Sequence, residues 1–248
     1  MQPIRQSAAV LVFALLPFTA SAVTFLTETN PPFNRLEGKS VVGLSTEVVT
    51  EMAKRAGVPA KFELGTWDVM YSRAQADKEA CLYSTARELH RETLFQWVGP
   101  IATNAWALYA KQGFTGKVES IKDAARYRIA AVVEDAKSQY LREKGATFLV
   151  EALKDEQNPP KLTTDPKATG GKVDLWVTGA YQAKAVAENA GVKDIKKVFN
   201  LRDVDLWLAC SPRLPKATVE KLQDALAAMK RDGSFRKIQD RYSNLLVK

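Results

Sequence analysis

The order of segments predicts an α/β protein of two lobes, each built on a mixed, mostly parallel sheet, with the chain crossing between them twice. Three observations carry this. Residues 23–83 alternate strand, helix, strand, helix, strand. A second series of strands and helices follows Pro100. A late apolar segment, Asp205-Leu-Trp-Leu-Ala-Cys210, then brings the chain back to the first unit. The first lobe is therefore discontinuous, residues 23–102 with 204–248, and residues 103–203 form the second. A chain of 248 residues accommodates two such units of roughly a hundred residues each.

Residues 23–28 alternate as a half-buried strand that Asn30-Pro-Pro32 ends, leaving Phe33 in a loop. Ser45 or Thr46 caps a helix running to Ala56, with Val48, Val49, Met52, Ala53 and Ala56 on its apolar stripe and Gly57 as its left-handed stop. Residues 60–64 make the next strand, Thr66 caps a helix over 67–76, and residues 80–83 make a third strand. Trp67, just past a strand end, either packs helix on sheet or touches a ligand. After Pro100 the pattern gives a strand at 106–111, a short helix at 120–125, a strand at 128–133, a helix at 137–144 closed by Gly145, and a strand at 147–150. Residues 154–167, polar and holding Asn158-Pro-Pro160, read as a surface loop. A strand at 173–177, an alanine-rich helix at 180–190 and a strand at 195–201 complete this series. Val219, Leu222, Leu226 and Met229, spaced 3, 4 and 3, mark an amphipathic helix, and residues 235–242 a last one.

The amino terminus has Arg5, an apolar run from Ala8 to Phe18 and Ala20-Ser-Ala22 as a small-residue cleavage site. This is the pattern of a cleavable secretory signal peptide over residues 1–22, so the expected location is the periplasm. No later run reaches the ~18 apolar residues of a membrane span. The formal net charge is +8, but the basic residues are dispersed and form no block. We therefore expect a soluble monomer with no nucleic-acid partner, whose charge attracts small anions. The two cysteines, Cys81 and Cys210, fall in strands of the same lobe; they form a disulfide or stay as buried thiols.

Catalytic patterns are missing. His90 is the only histidine, so no His/Cys set has metal-ligand spacing and neither metal nor cofactor is expected. Gly43-Leu-Ser-Thr-Glu47 lacks the second glycine of a nucleophile elbow, and Gly170-Gly171 is an isolated pair rather than a phosphate loop.

The stretch from Ala80 to Pro100 carries the chemistry. A buried strand passes into a polar loop holding Arg87 and Arg91, then into an apolar segment that Gly99-Pro100 stops. Read as one helical turn, the two arginines share a face, beyond the carboxyl end of a strand, where open α/β sheets place ligands. Two guanidiniums there would clamp a carboxylate or phosphate.

This stretch resembles the extracytoplasmic solute-binding proteins of polar amino-acid ABC importers, in which a strand, a Thr-x-x-Arg turn and a Phe-Ser-x-Pro-Tyr segment follow one another. The resemblance extends over nearly the whole chain after the leader. It implies a type II periplasmic-binding-protein fold that closes by hinge motion over a small anionic or zwitterionic solute, and a membrane component of an ABC transporter as partner. It puts Arg91 on the carboxylate-binding arginine, assisted by Arg87, with Ser84 and Ala86 lining the pocket ahead of it and Phe33 and Trp67 covering the ligand. Glu88 stands where the family has threonine. The Gly-Ser/Thr segment that meets the carboxylate is Glu134-Asp135-Ala136 here. Asp135 either caps the following helix or joins Glu134 in holding a cation. Gly179 takes the place of the acid that pairs with the ligand's ammonium. Thr178, Glu134 or Asp135 makes up for that loss, or the ligand has no α-ammonium. A dehydratase-like enzyme, a signalling receptor or an accessory protein on the same fold is the alternative, with Glu134 and Glu88 as its candidate acid or base.

Overall fold

The structure, a computed structural model, describes residues 22–245. The expected leader thus lies, apart from Ala22, outside the described residues. In chain order the strands are β1 (Val23–Thr27), β2 (Arg35–Glu37), β3 (Ser40–Val42), β4 (Ala60–Leu64), β5 (Ala80–Ala86), β6 (Gln96–Lys111), β7 (Ile129–Val132), β8 (Leu149–Ala152), β9 (Leu175–Gly179) and β10 (Ile195–Cys210). The helices are α1 (Leu44–Ala56), α2 (Trp67–Ala76), α3 (Ile121–Ala124), α4 (Ala136–Glu143), α5 (Ala183–Asn189), α6 (Lys216–Arg231) and α7 (Ser234–Arg241).

The α/β class read from the sequence is the one found. β1 pairs in parallel with β4 and β5, and β7 in parallel with β8 and β9. Between these groups run β10 and β6, antiparallel to each other and to their outer neighbours β5 and β9. The order is β4-β1-β5-β10-β6-β9-β7-β8. Because β6 and β10 are 16 residues each, hydrogen bonding joins the two expected sheets without a break. Register shifts between Lys197 and Phe199, Asn200 and Arg202, and Leu206 and Leu208 bend the pair along its length, as β-bulges do.

Several local expectations are corrected. Gly99-Pro100 does not stop the apolar segment; it lies inside β6. The strands expected at 195–201 and 205–210 are one strand, because pairing with β6 carries β10 through Arg202 and Asp203. The loop at 154–167 folds as 3-10 turns over Asp155–Gln157, Pro159–Leu162 and, overlapping its end, Pro166–Thr169. It is not all surface: Asn158 and Pro159 are buried. The hairpin β2–β3 was not foreseen.

Apolar side chains sort to the two ends of the long strands. In the first lobe α1, α6 and α7 bury Val48, Met52, Leu222, Leu226, Met229 and Ile238 against β1, β5 and β10. On the other face α2 packs Trp67, Met70 and Ala74 over Leu26, Leu82 and Ala209. In the second lobe Trp176 and α5 make one layer, and Ile129, Leu141, Leu175 and Val177 the other. Cys81 and Cys210, opposite each other on β5 and β10, are joined as a disulfide with an S–S distance of 2.10 Å.

Candidate functional site

Chain direction sets the site. β1, β5 and β7 all end toward the join between the lobes, and the side chains just beyond their carboxyl ends converge there. β1 delivers Glu28 and Asn30, β5 delivers Ser84 and Ala86, and the turn after β7 delivers Asp135, Ala136 and Lys137. Arg91 enters from the connection between β5 and β6, Trp67 from α2, and Asn104, Trp106 and Leu206 from the long strands. The chamber they enclose has a volume of about 20 Å³, room for roughly one water. Two larger openings are also present. One, of about 520 Å³, is lined by Glu28, Thr66, Asp155 and Glu156; the other, of about 530 Å³, by Val69, Arg73, Glu134 and Leu153.

Arg91 is 1% exposed. Its Nη2 donates to the Glu134 carbonyl at 3.2 Å and to Gln139 Oε1 at 3.1 Å, both on the other lobe. The guanidinium lies 5.0 Å from the Trp67 ring centroid and 5.2 Å from that of Tyr71. Trp67 Nε1 donates to the same Glu134 carbonyl at 3.1 Å. Arg91 Nη1 is buried with no hydrogen-bond partner. A guanidinium stays ionised in proteins, so this is a buried donor of a charged group without an acceptor. Burial pushes the Arg91 pKa down, and Asp135 is the strongest opposing influence.

Among the described residues two other than glycine have positive φ, Ser84 at 60° and Glu134 at 54°, and both belong to this region. At Glu134 that turn of the backbone presents the carbonyl to Arg91 and Trp67. Left-handed backbone at such residues is costly and concentrates at ligand sites.

An acid–base cluster fills the remaining volume. Asp135 caps α4, accepting from the Lys137 backbone N–H at 2.7 Å, and also holds the Lys137 ammonium at 2.9 Å. Burial lowers the Lys137 pKa, but Asp135, Asp155 and Glu28 outweigh it, and the net direction is up. Asp155 accepts from Trp176 Nε1 at 2.8 Å and from the Thr178 hydroxyl. Burial, followed by Asp135, raises Glu28 from 4.5 to about 8.

That shift has a sign that can be tested. The folded protein keeps a proton on Glu28 that the unfolded chain releases above 4.5, so this group's contribution to stability falls as pH rises from there through about 8. Glu28→Gln should melt progressively higher than the natural chain as pH goes from about 5 to about 8. A melting difference that stays constant over that range excludes a retained proton.

The sequence-derived site residues divide. Arg91, Ser84, Ala86, Trp67, Asp135 and Ala136 line one chamber. Arg87 does not. It is exposed, pairs with Glu92 and lies 4.7 Å from the Trp207 ring centroid. The expected shared face fails because the helical turn is a 3-10 segment, Leu89–Leu94, that begins after Arg87. Phe33 is fully buried in the first lobe's core, does not line the chamber, and has its ring centroid 6.1 Å from that of Tyr181. Gly43 locks it there: at φ 127° a Cβ would lie 2.4 Å from the Phe33 carbonyl oxygen. Gly179 is walled in, since a Cβ there would lie 2.4 Å from Gln182 Oε1 and 2.7 Å from Asn104 Nδ2. Glu28, Asn30, Asn104, Trp106, Lys137 and Leu206 were not singled out from sequence. Glu28 and Asn30 follow a strand end directly, which is the one signal that marks them.

Among the described residues no group of three His, Cys, Asp or Glu side chains could hold a metal ion, and no helix is long and apolar enough to cross a membrane.

Against this geometry, the model of the bacterial extracellular solute-binding proteins, family 3, matches residues 23–244, and the chain belongs to that family. Three solved structures illustrate the fold. A histidine kinase sensor domain with similarity to periplasmic binding proteins superposes with a TM-score of 0.78 at 16% identity, covering 89% of this chain and 95% of that one. The arginine-, lysine-, histidine-binding protein ArtJ from Geobacillus stearothermophilus gives 0.75 at 15% identity, over 90% and 95%. The ancestral amino acid-binding protein AncCDT-1, a precursor of cyclohexadienyl dehydratase, gives 0.72 at 18%, over 91% and 95%. At these identities the likeness establishes a periplasmic-binding-protein-like fold and nothing finer. No curated protein matches the chain.

Proposed function

We propose that this solute-binding family member captures a small anionic or zwitterionic solute, an amino acid or related carboxylate, between its lobes in the periplasm and delivers it to an ABC importer. One observation carries the reading: a charged guanidinium, buried between two lobes, with Nη1 unpaired. A carboxylate is the group that satisfies it, through charge-assisted hydrogen bonds worth roughly twice neutral ones. The lobes divide at residues 102/103 and 203/204, and the bulged pair β6–β10 serves as the hinge for opening and closing. In the closed form the Glu134 carbonyl and Gln139 amide hold Arg91 from the second lobe.

The enzymatic alternative finds less support. Glu88 is tied to Arg202, and Glu134 is exposed, so neither candidate acid or base lines the chamber. A signalling receptor would use the same chamber and the same Arg91.

Mass spectrometry of small molecules released from natively purified, undialysed protein tests the proposal. A carboxylate recovered at near-stoichiometric amount, and rebinding in calorimetry, is the expected result. Recovery of only neutral or cationic solutes would remove the role given to Arg91.

A further inference from the structure

The site holds two cations rather than one, and the second decides which carboxylates fit. Arg91 comes from the first lobe and Lys137 from the first turn of α4 in the second, and both line the same chamber. The Lys137 side chain is 12% exposed, and its ammonium sits among Asp135, Asp155 and Glu28. Those three acids are the carboxylates around that ammonium that could balance the charge of a ligand's amino group; Asn30 Oδ1, buried on the chamber wall without a partner, could accept from such a group but carries no charge. Asp135 is committed to Lys137 and to the α4 cap. Asp155 already accepts from Trp176 and Thr178. Gly179 contributes no carboxylate, and the side chains of Gln182 and Asn104 leave no space for one. Among the acids what remains is Glu28, which lines the chamber with Lys137.

A ligand's amino group would therefore have to enter beside a resident ammonium, in a chamber of about 20 Å³. Two like charges brought together out of water repel strongly. We propose that Lys137 is a built-in ammonium occupying the amino-group position, so that this site selects carboxylates without an α-amino group. This rests on the solute-binding reading above and names the substrate class of the same site. Lys137 is thus a specificity-determining residue: it satisfies Asp135 and leaves Arg91 Nη1 as the free donor for the carboxylate.

The test uses matched pairs that differ only in the amino group: propionate and alanine, succinate and aspartate, glutarate and glutamate. Calorimetry is run on the full chain without its leader, on Lys137→Ala and Lys137→Met, and on Arg91→Met. The natural protein should bind at least one carboxylate more than tenfold tighter than its amino partner. Lys137→Ala removes the ammonium and opens its volume beside Asp135, and should reverse that preference by at least tenfold. Lys137→Met keeps the volume filled and should not gain amino-acid binding. An amino acid bound by the natural protein as tightly as its partner overturns the inference; loss of that binding in Arg91→Met then leaves the proposed function standing. A folded Lys137→Ala with the natural preference also overturns it. If that variant does not fold, the preference of the natural protein decides alone. Absence of binding by every member of every pair, in the natural protein and in Lys137→Ala, overturns the solute-binding reading together with this one.

Discussion

Replacing Arg91 by methionine should abolish tight carboxylate binding while leaving the folded protein about as stable as before. Truncating one partner of a buried, hydrogen-bonded charge pair costs about 2–5 kcal/mol, roughly thirtyfold to four-thousandfold in affinity. The stability expectation follows from what Arg91 does without a guest. The substitution loses three hydrogen bonds, to His90, Glu134 and Gln139, and the stacking on Trp67 and Tyr71. Against that, the substitution removes a buried charge that no carboxylate holds and whose Nη1 has no acceptor. Exchanging such a group for an apolar one of similar size is often neutral or stabilising. Calorimetry with the natural ligand, paired with a thermal melt, separates the two effects. A melting point that collapses along with binding would make Arg91 a structural residue instead of the anchor.

Loss of the Cys81–Cys210 bridge should have the opposite profile, with stability falling and affinity holding. The disulfide ties residues 129 apart, fixing the return of the chain to the first lobe. In the unfolded chain it closes a long loop, and removal of such a crosslink costs about 2–5 kcal/mol. For a protein of this size that corresponds to a melting-point drop on the order of 10 °C. Both sulfur-bearing residues are fully buried in the first lobe's core and neither lines the chamber, so ligand affinity should be unchanged. The Cys81→Ala/Cys210→Ala double variant, melted and titrated, checks this. An unaltered melting point, or two reactive thiols in the unfolded and unreduced natural protein, would contradict it.

What could be read from sequence was what local chemistry enforces. The alternation through β1, the apolar stripe of α1 before Gly57, and the 3-4-3 spacing on α6 each bury one face of one element; β1 and α1 appear within a residue or two of their expected bounds, and α6 contains all four of its marked residues. The long strands were not legible. Gly99-Pro100 and the Arg202-Asp203 pair read as interruptions, and only cross-strand pairing between β6 and β10 carries the backbone through them. Arg91 was visible because it lies just past a strand end. Arg87 was misplaced because a 3-10 turn starting at Leu89 has a different period and excludes it. Lys137 carries no local signal, and Glu28 only that of a residue just past a strand end. Both line one chamber although they are more than a hundred residues apart in the chain, a juxtaposition that no spacing rule encodes.

The most direct measurement is a crystal structure with the small molecule recovered from the native protein soaked or co-crystallised at saturation. A carboxylate oxygen should lie within hydrogen-bond distance of Arg91 Nη1, enclosed by both lobes. A ligand bound elsewhere, or an Arg91 side chain turned out into bulk water, would contradict the assignment of this arginine as the anion anchor.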